Sequence, residues 1–225
     1  MNGADALIET LYNAGVKVCF ANPGTSEMQL VAAIDKHDGM RGVLALFEGV
    51  VTGAADGYGR MADAPAATLL HLGPGIANGA ANLHNARRAR TPVVNLVGDH
   101  ATYHREFDAP LTSDIEGLAR PMSSWVRTSP DAKSVSADGA AAIAAARSAP
   151  AQIATLILPA DTAWGDGGVP GQKLPLPPRP TAEPKQVADI ARLLRRGEPT
   201  ILVLGGTALR EAALADAHRI AAATG

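Results

Sequence analysis

The sequence predicts a three-layer α/β/α domain with a mostly parallel sheet, followed by the truncated start of a second α/β domain. Apolar runs alternate with helical segments, and most runs are continuous, which indicates strands that are covered on both faces. A Gly- and Pro-rich segment then separates the two parts. The predicted strands are 16–21, 42–47, 66–72, 92–97 and 152–158.

Helices are predicted between these strands. Ser26 followed by Gln29 indicates a capping box at the start of the second helix. The fourth predicted helix ends with Arg87, Arg88 and Arg90, and cations at this end complement the helix dipole. The predicted helices are 3–14, 26–37, 49–62, 78–90 and 136–149.

The predicted domain organisation is a first domain over 1–164, a linker over 165–183 and a partial second domain over 184–225. The last part reads as a helix, the strand Thr200–Gly205 and another helix. One strand with two helices is too little for a closed core, so we expect the opening of a longer domain.

Composition limits the classes of function. The chain has 225 residues, 47% hydrophobic residues and a net charge of −2, so it offers no basic face for nucleic acid or anionic lipid. The single cysteine, Cys19, excludes an internal disulfide and favours a reducing compartment, with the cytoplasm as the expected location. No apolar run reaches the roughly 20 residues of a membrane span.

Glu48 is the most informative residue. It follows the apolar run Val43–Phe47 and precedes a Gly- and Ala-rich helix. A carboxylate at the mouth of a buried strand, between Phe47 and Val50, is costly to keep ionised without a partner. The residue is therefore a candidate for proton relay, although a carboxylate at a helix start can also simply complement the dipole.

Two strand-to-helix turns accompany Glu48. One is Asn22–Ser26, and the other runs from Leu72 to Gly79. The second is a weak dinucleotide fingerprint, because Pro74 stiffens it and Asn78 replaces the third glycine; Asn78 could instead be a helix N-cap. Together, three strand ends bring Thr25, Glu48 and His71 to one edge of the sheet, which predicts a binding site there.

Asp99, His100, His104 and Asp108 have a spacing that resembles a metal-ligand set, but no HExxH-type pattern accompanies them. We therefore predict no metal site in this chain. The triplet Gly165-Asp166-Gly167 lies in the predicted linker, and we interpret it as a turn rather than as a binding motif.

Taken in order, Asn22-Pro23-Gly24-Thr25, Phe47-Glu48-Gly49, Ala54–Arg60, Gly73–Asn78 and Thr91-Pro92-Val93 resemble a known family. It is the amino-terminal pyrimidine-binding domain of thiamine diphosphate enzymes. The acetolactate synthase large-subunit group is most similar, with benzoylformate decarboxylase next.

The resemblance implies that Glu48 hydrogen-bonds the aminopyrimidine ring of thiamine diphosphate and stabilises its imino tautomer, which removes the thiazolium C2 proton. Thr25 and His71 match positions used by benzoylformate decarboxylase in proton transfer and substrate contact. The remaining implied cofactor-binding positions are Pro23, Gly24, Gly73, Pro74, Gly75 and Asn78.

The resemblance also implies a small 2-oxo acid substrate and a homodimer or homotetramer in which Gly49, Gly53 and Gly57 allow close helix packing. Mg²⁺ would be held by a diphosphate-binding domain that these residues do not contain, so the chain alone is expected to be inactive. The family's flavin-channel phenylalanine, glutamine and lysine fall on Pro110, Leu111 and Ser124, which argues against FAD and against acetolactate formation.

Three alternatives remain at this point. The chain could belong to a benzoylformate-type decarboxylase or to a catalytically silent binding or regulatory paralogue. A nicotinamide-binding domain is the third, with Asp99 as its acidic residue.

Overall fold

The computed structural model describes all residues from 1 to 225. The chain forms two compact units, Met1–Pro177 and Pro178–Gly225. The first contains a six-stranded sheet with helices on both faces, which confirms the predicted fold class.

The sheet is entirely parallel and has the strand order β2-β1-β3-β4-β6-β5. All carboxyl ends therefore lie at one edge. The strands are β1 Val18–Asn22, β2 Arg41–Leu44, β3 Ala66–Leu70, β4 Val93–Asp99, β5 Trp125–Thr128 and β6 Ile153–Pro159.

The helices of the first unit form two layers. Their bounds are α1 Gly3–Asn13, α2 Met28–Lys36, α3 Glu48–Ala62, α4 Leu72–Ala89, α5 Ile115–Ala119, α6 Val135–Arg147 and α7 Ala160–Trp164. Residues of α1, α2 and α6 share one core cluster, and residues of α3, α4 and α5 share the other. Neighbouring β3 residues such as Leu69 and Leu70 belong to different clusters, as the two-residue period of a strand requires.

The topology reverses between β1 and β3. From β1 the chain passes through α2 to β2 on one side, whereas from β3 it passes through α4 to β4 on the other. The two helices lie on opposite faces of the sheet. In open parallel sheets, such a reversal opens a crevice where ligands bind.

Two strand predictions were wrong. β5 was missed because it has only four residues and lies at the sheet edge, where burial is partial. The run 42–47 was expected to be covered on both faces, but β2 is the opposite edge strand and ends at Leu44. Leu44 and Leu46 are 71% and 91% exposed, respectively.

Two helix starts also differ from prediction. The Ser26–Gln29 capping box does not form, because Thr25–Glu27 is a 3₁₀ turn and α2 begins at Met28. The helix predicted from Asn78 begins at Leu72, so Gly73-Pro74-Gly75 is its first turn and Asn78 is not an N-cap. Pro tolerates this position because a first-turn N–H needs no helical partner.

A buried polar row crosses the middle of the sheet. Thr68 Oγ1 donates to Asn95 Oδ1 at 2.8 Å, and Asn95 Nδ2 donates to Thr155 Oγ1 at 3.0 Å. The Thr155 hydroxyl also pairs with Ser123 Oγ at 2.5 Å. These groups satisfy one another on the sheet face that packs against α3, α4 and α5, as buried polar groups must.

The second unit contains helices α8 Pro184–Leu194 and α9 Glu211–Thr224. The strand predicted at Thr200–Gly205 does not form, and that prediction was wrong for this chain. A strand needs a neighbour to satisfy its backbone groups, and this unit supplies none. Across the whole chain, no helix combines the length and the apolar character needed to cross a bilayer.

Candidate functional site

Glu48 is the first residue of α3 and follows the edge strand β2. It is only 7% exposed. The expectation of burial is therefore confirmed, but the predicted cause was wrong, since Phe47 and Val50 are 49% and 58% exposed. The side chain is covered by α4 instead.

Both oxygens of the Glu48 carboxyl group lie against α4, and one of them is hydrogen-bonded there. Asn78 Nδ2 donates to Oε2 at 3.0 Å. Oε1 lies against the first turn of α4, where a Cβ added at Gly75 would stand 3.2 Å away. Gly75 thus leaves room for the carboxyl group, and only Oε2 is paired within the chain.

Close packing of α3 on α4 makes this contact possible. Thr52 Oγ1 lies 3.0 Å from the carbonyl oxygen of Gly79, and Asn82 Nδ2 donates to the carbonyl oxygen of Gly49 at 2.7 Å. A Cβ at Gly79 would approach Thr52 Cγ2 to 2.8 Å. Of the predicted close-packing glycines, Gly53 faces Asn82 of the same chain, whereas a Cβ added at Gly57 would have no neighbouring atom within 4 Å.

His71 lies at the end of β3, immediately before Leu72, whose φ of 47° is a left-handed conformation that is rare for a bulky residue. Leu72 is fully buried, and such strain often marks functional turns. The side chain of His71 is 23% exposed. Its Nδ1 lies 2.7 Å from Oε2 of Glu27.

Glu27 is a site residue that the sequence analysis missed. It ends the 3₁₀ turn after β1, and its Oε2 also accepts the Gly24 N–H at 2.7 Å. The side chain is fully buried. The pattern Gly24-x-x-Glu27 is a form of the capping-box spacing, and that spacing was the signal available in the sequence.

The Glu27 carboxyl group is held in a tight space. A Cβ at Gly98, in β4, would stand 1.7 Å from Oε1, so only glycine fits there. Oε1 is buried and has no hydrogen-bond partner. Burial raises the pKa of Glu27, and this effect is opposed by the Gly24 N–H and by His71.

The other predicted positions lie around these two groups. Thr25 is exposed at the start of the 3₁₀ turn, and Pro23 is half-buried beside Gly24. Gly73 is buried against Ser113, where a Cβ would meet Oγ at 2.2 Å, and Pro74 is exposed. The structure therefore places five of the predicted positions in two clusters, Glu48 with Asn78 and Gly75, and His71 with Gly24. Glu27, which was not predicted, joins the second cluster.

The Asp99–Asp108 segment is engaged in local contacts. Asp99 Oδ2 pairs with Arg105 at 2.6 Å, and Asp99 Oδ1 accepts the His100 N–H. The rings of His100 and His104 lie 5.4 Å apart. Both carboxylate oxygens of Asp99 are therefore already paired within the chain. A nicotinamide-binding domain would need this carboxylate for the ribose of its ligand, so the contacts weaken that alternative.

Comparison with known families decides the identity of this arrangement. Residues 1–119 match the model of the thiamine pyrophosphate enzyme N-terminal TPP-binding domain. The chain belongs to the thiamine pyrophosphate enzyme family. Glu48, His71 and Glu27 all lie within the matched region of that domain.

Relatives of this family support the two resemblances seen in the sequence. IlvX of Mycobacterium tuberculosis, provisionally described as an acetolactate synthase large subunit, is 59% identical over 100% of this chain and 43% of its own length. Benzoylformate decarboxylase of Pseudomonas aeruginosa is 29% identical over 89% of this chain and 38% of its own length. The chain thus spans less than half the length of these curated relatives.

A solved structure shows the same fold. The thiamine diphosphate-dependent 4-hydroxybenzoylformate decarboxylase of Rhodococcus jostii RHA1 superposes with a TM-score of 0.78 at 22% identity. The match covers 87% of this chain and 37% of that chain. The chain is an acetolactate synthase-like N-terminal domain of a thiamine pyrophosphate enzyme, with benzoylformate decarboxylase as a neighbour.

Proposed function

We propose that this chain is the pyrimidine-binding part of a thiamine diphosphate-dependent carboligase or decarboxylase that acts on a small 2-oxo acid. The observation that carries the proposal is the Glu48 carboxyl group. It is buried at the start of α3, and only one of its oxygens is paired within the chain. Family membership supports the cofactor.

The residues present fit the aminopyrimidine of the cofactor. Oε2 of Glu48 is held by Asn78, so Oε1 is oriented toward the first turn of α4 and available to a ring nitrogen. Gly73, Pro74 and Gly75 would line the same turn, with Pro23 and Gly24 across the crevice. When bound, thiamine diphosphate supplies an electron sink for the carbon that loses carbon dioxide. Glu48 supplies and withdraws a proton at the ring nitrogen.

A second subunit would complete this site. Leu46, Phe47 and Val50 flank Glu48 and are strongly exposed, which is typical of a surface that a protein partner covers. Gly57 of α3 has open space around it. We infer a homodimer or homotetramer in which a diphosphate-binding domain outside these residues holds the diphosphate and Mg²⁺. The chain alone is then inactive.

The second candidate is a benzoylformate-type decarboxylase. The His71–Glu27 pair favours it, since a partly exposed imidazole beside a buried carboxyl group is suited to proton transfer. Thr25 would act with His71. The side chains of Pro110, Leu111 and Ser124 argue against FAD and a second keto acid, as the sequence analysis predicts.

For the chain as a whole, we assign residues 1–164 to the pyrimidine-binding domain, 165–183 to a linker and 184–225 to the start of a central domain. The fully buried, unpaired Cys19 favours the reducing cytoplasm.

The test uses an enzyme of the full length of the relatives, loaded with thiamine diphosphate and Mg²⁺. Exchange of the thiazolium C2 proton for deuterium is followed by NMR in the wild type, in Glu48→Gln and in the exposed control Glu106→Gln. We expect Glu48→Gln to slow exchange by at least tenfold and the control to match the wild type.

Equal exchange in Glu48→Gln and the wild type would contradict the role of Glu48. Wild-type exchange no faster than that of free cofactor would instead identify a silent paralogue. Assays with pyruvate and benzoylformate then decide between carboligation and decarboxylation.

A further inference from the structure

Glu27 and His71 meet at the point where the sheet topology reverses. Glu27 follows β1, His71 follows β3, and these adjacent strands send their chains to opposite faces. Gly98 of β4, on the other side of β3, bounds the same space. The pair therefore lies at the topological switch point, the position beside which open parallel sheets bind ligands.

The exposure of the two side chains differs in a way that separates their roles. Glu27 is fully buried, so no substrate can touch it, whereas His71 is 23% exposed. Any effect of Glu27 on a reaction must pass through the groups that it contacts, the His71 ring and the Gly24 N–H. Because Nδ1 of His71 faces Glu27, Nε2 is the ring nitrogen left for another group.

The contacts of Glu27 favour one tautomer of the imidazole. Oε2 already accepts the Gly24 N–H at 2.7 Å, and the His71 Nδ1 contact reaches the same oxygen. An oxygen that accepts from two N–H groups is a common arrangement for a carboxylate. The hydrogen of neutral His71 then lies on Nδ1, and Nε2 carries the lone pair.

The surrounding backbone leaves the pair no alternative position. A Cβ at Gly24 would stand 2.3 Å from Cε1 and 2.4 Å from Nδ1 of the His71 ring. A Cβ at Gly98 would stand 1.7 Å from Oε1 of Glu27. Gly24 therefore leaves room for the His71 ring, and Gly98 leaves room for the Glu27 carboxyl group; a larger residue at either position would collide with them.

The geometry points to Glu27 as a positioning residue that keeps a hydrogen on Nδ1 of His71, so that Nε2 is the nitrogen that takes up a proton and then delivers it in place of carbon dioxide. This inference rests on the proposed function and belongs to its decarboxylase form. Conversion of RCOCOO⁻ and H⁺ to RCHO and CO₂ consumes one proton. With both ring nitrogens protonated, His71 gives that proton from Nε2 and keeps the hydrogen on Nδ1 beside Glu27; Nε2 then takes up the consumed H⁺ again from the solvent.

The first test measures the tautomer itself and needs no cofactor. ¹⁵N NMR of the histidine-labelled 225-residue chain, with His71 assigned from His71→Asn, reports which ring nitrogen is protonated. We expect a protonated Nδ1 in the wild type and a mixture of tautomers in Glu27→Ala. Glu27→Gln should restore the wild-type state, because its amide oxygen can accept from both N–H groups.

Glu9→Ala is the matched control, because Glu9 pairs with His37 at 3.2 Å elsewhere on the chain. It should leave the His71 signals unchanged. A protonated Nε2 in the neutral wild-type ring, or an unchanged His71 in Glu27→Ala, would overturn the inference whatever the cofactor does.

The second test uses the complete enzyme. Glu27→Ala should lower kcat for decarboxylation by about 10- to 100-fold, a part of the roughly 100- to 10,000-fold that a general acid contributes, while C2 exchange stays at the wild-type rate. Glu27→Gln should recover much of kcat. A wild-type kcat in Glu27→Ala would refute the positioning role. Loss of C2 exchange in that variant would also refute it, by giving Glu27 a part in cofactor activation.

The two proposals fail separately. If Glu48→Gln leaves C2 exchange unchanged, the role of Glu48 is wrong, and the tautomer measurement still decides the role of Glu27.

Discussion

Asn78 Nδ2 lies 3.0 Å from Glu48 Oε2, across the contact between α3 and α4. The orientation of Glu48 is therefore set within one chain, before any cofactor or second subunit is present. Asn78 is itself exposed, and its side chain reaches back over the start of α3. A residue expected to contact the cofactor directly thus also positions the carboxyl group.

Asn78→Ala should weaken this control of Glu48. Loss of one hydrogen bond to a charged group costs about 1.5 to 3 kcal/mol, which corresponds to a fall of roughly 10- to 100-fold in kcat/KM of the complete enzyme. Steady-state kinetics with the preferred 2-oxo acid measures this fall. Asn85→Ala, on the same helix and exposed, is the control and should be unaffected. A wild-type kcat/KM for Asn78→Ala would show that Glu48 is oriented by other contacts.

The buried polar row predicts a large stability effect at its centre. Asn95 bonds Thr68 on one side and Thr155 on the other, so Asn95→Ala removes both hydrogen bonds and leaves the buried Thr68 hydroxyl without its partner. The free energy of unfolding in urea should fall by about 2 to 4 kcal/mol. Asn13→Ala, which removes one exposed hydrogen bond, should change it by less than about 0.5 kcal/mol. Similar losses in the two variants would contradict a structural role for the row.

The sequence was sufficient for the fold class and for Glu48, because continuous apolar runs and a carboxylate after a strand are local signals. It was not sufficient for β2 and β5, since whether a strand is central or at an edge depends on pairing across the sheet. It missed the start of α4 because Gly73 and Pro74 read as a turn. It missed Glu27 because its burial depends on His71 and Gly98, which are distant in sequence.

Cys19 should be unreactive in the folded chain. It is fully buried in β1, and burial raises the pKa of its thiol to about 12, so almost no thiolate forms near neutral pH. A chromogenic disulfide reagent at about pH 8 should label the native chain only on the timescale of unfolding. It should label the chain at once in guanidinium chloride. Rapid labelling of native protein would show that β1 opens locally.

Glu27 also predicts a pH dependence of stability. Burial raises its pKa in the folded state, so the folded chain binds this proton more tightly than the unfolded chain. The resulting stabilisation is complete below the unfolded pKa of about 4.3 and is lost as the pH rises through the folded value. Glu27→Gln lacks this dependence. The free energy of unfolding of the wild type, measured in urea relative to Glu27→Gln, should therefore fall with rising pH from about pH 4. A rise over the same range would show that the pairing with His71 and Gly24 outweighs the cost of burial, and that the carboxylate is the form stabilised by folding.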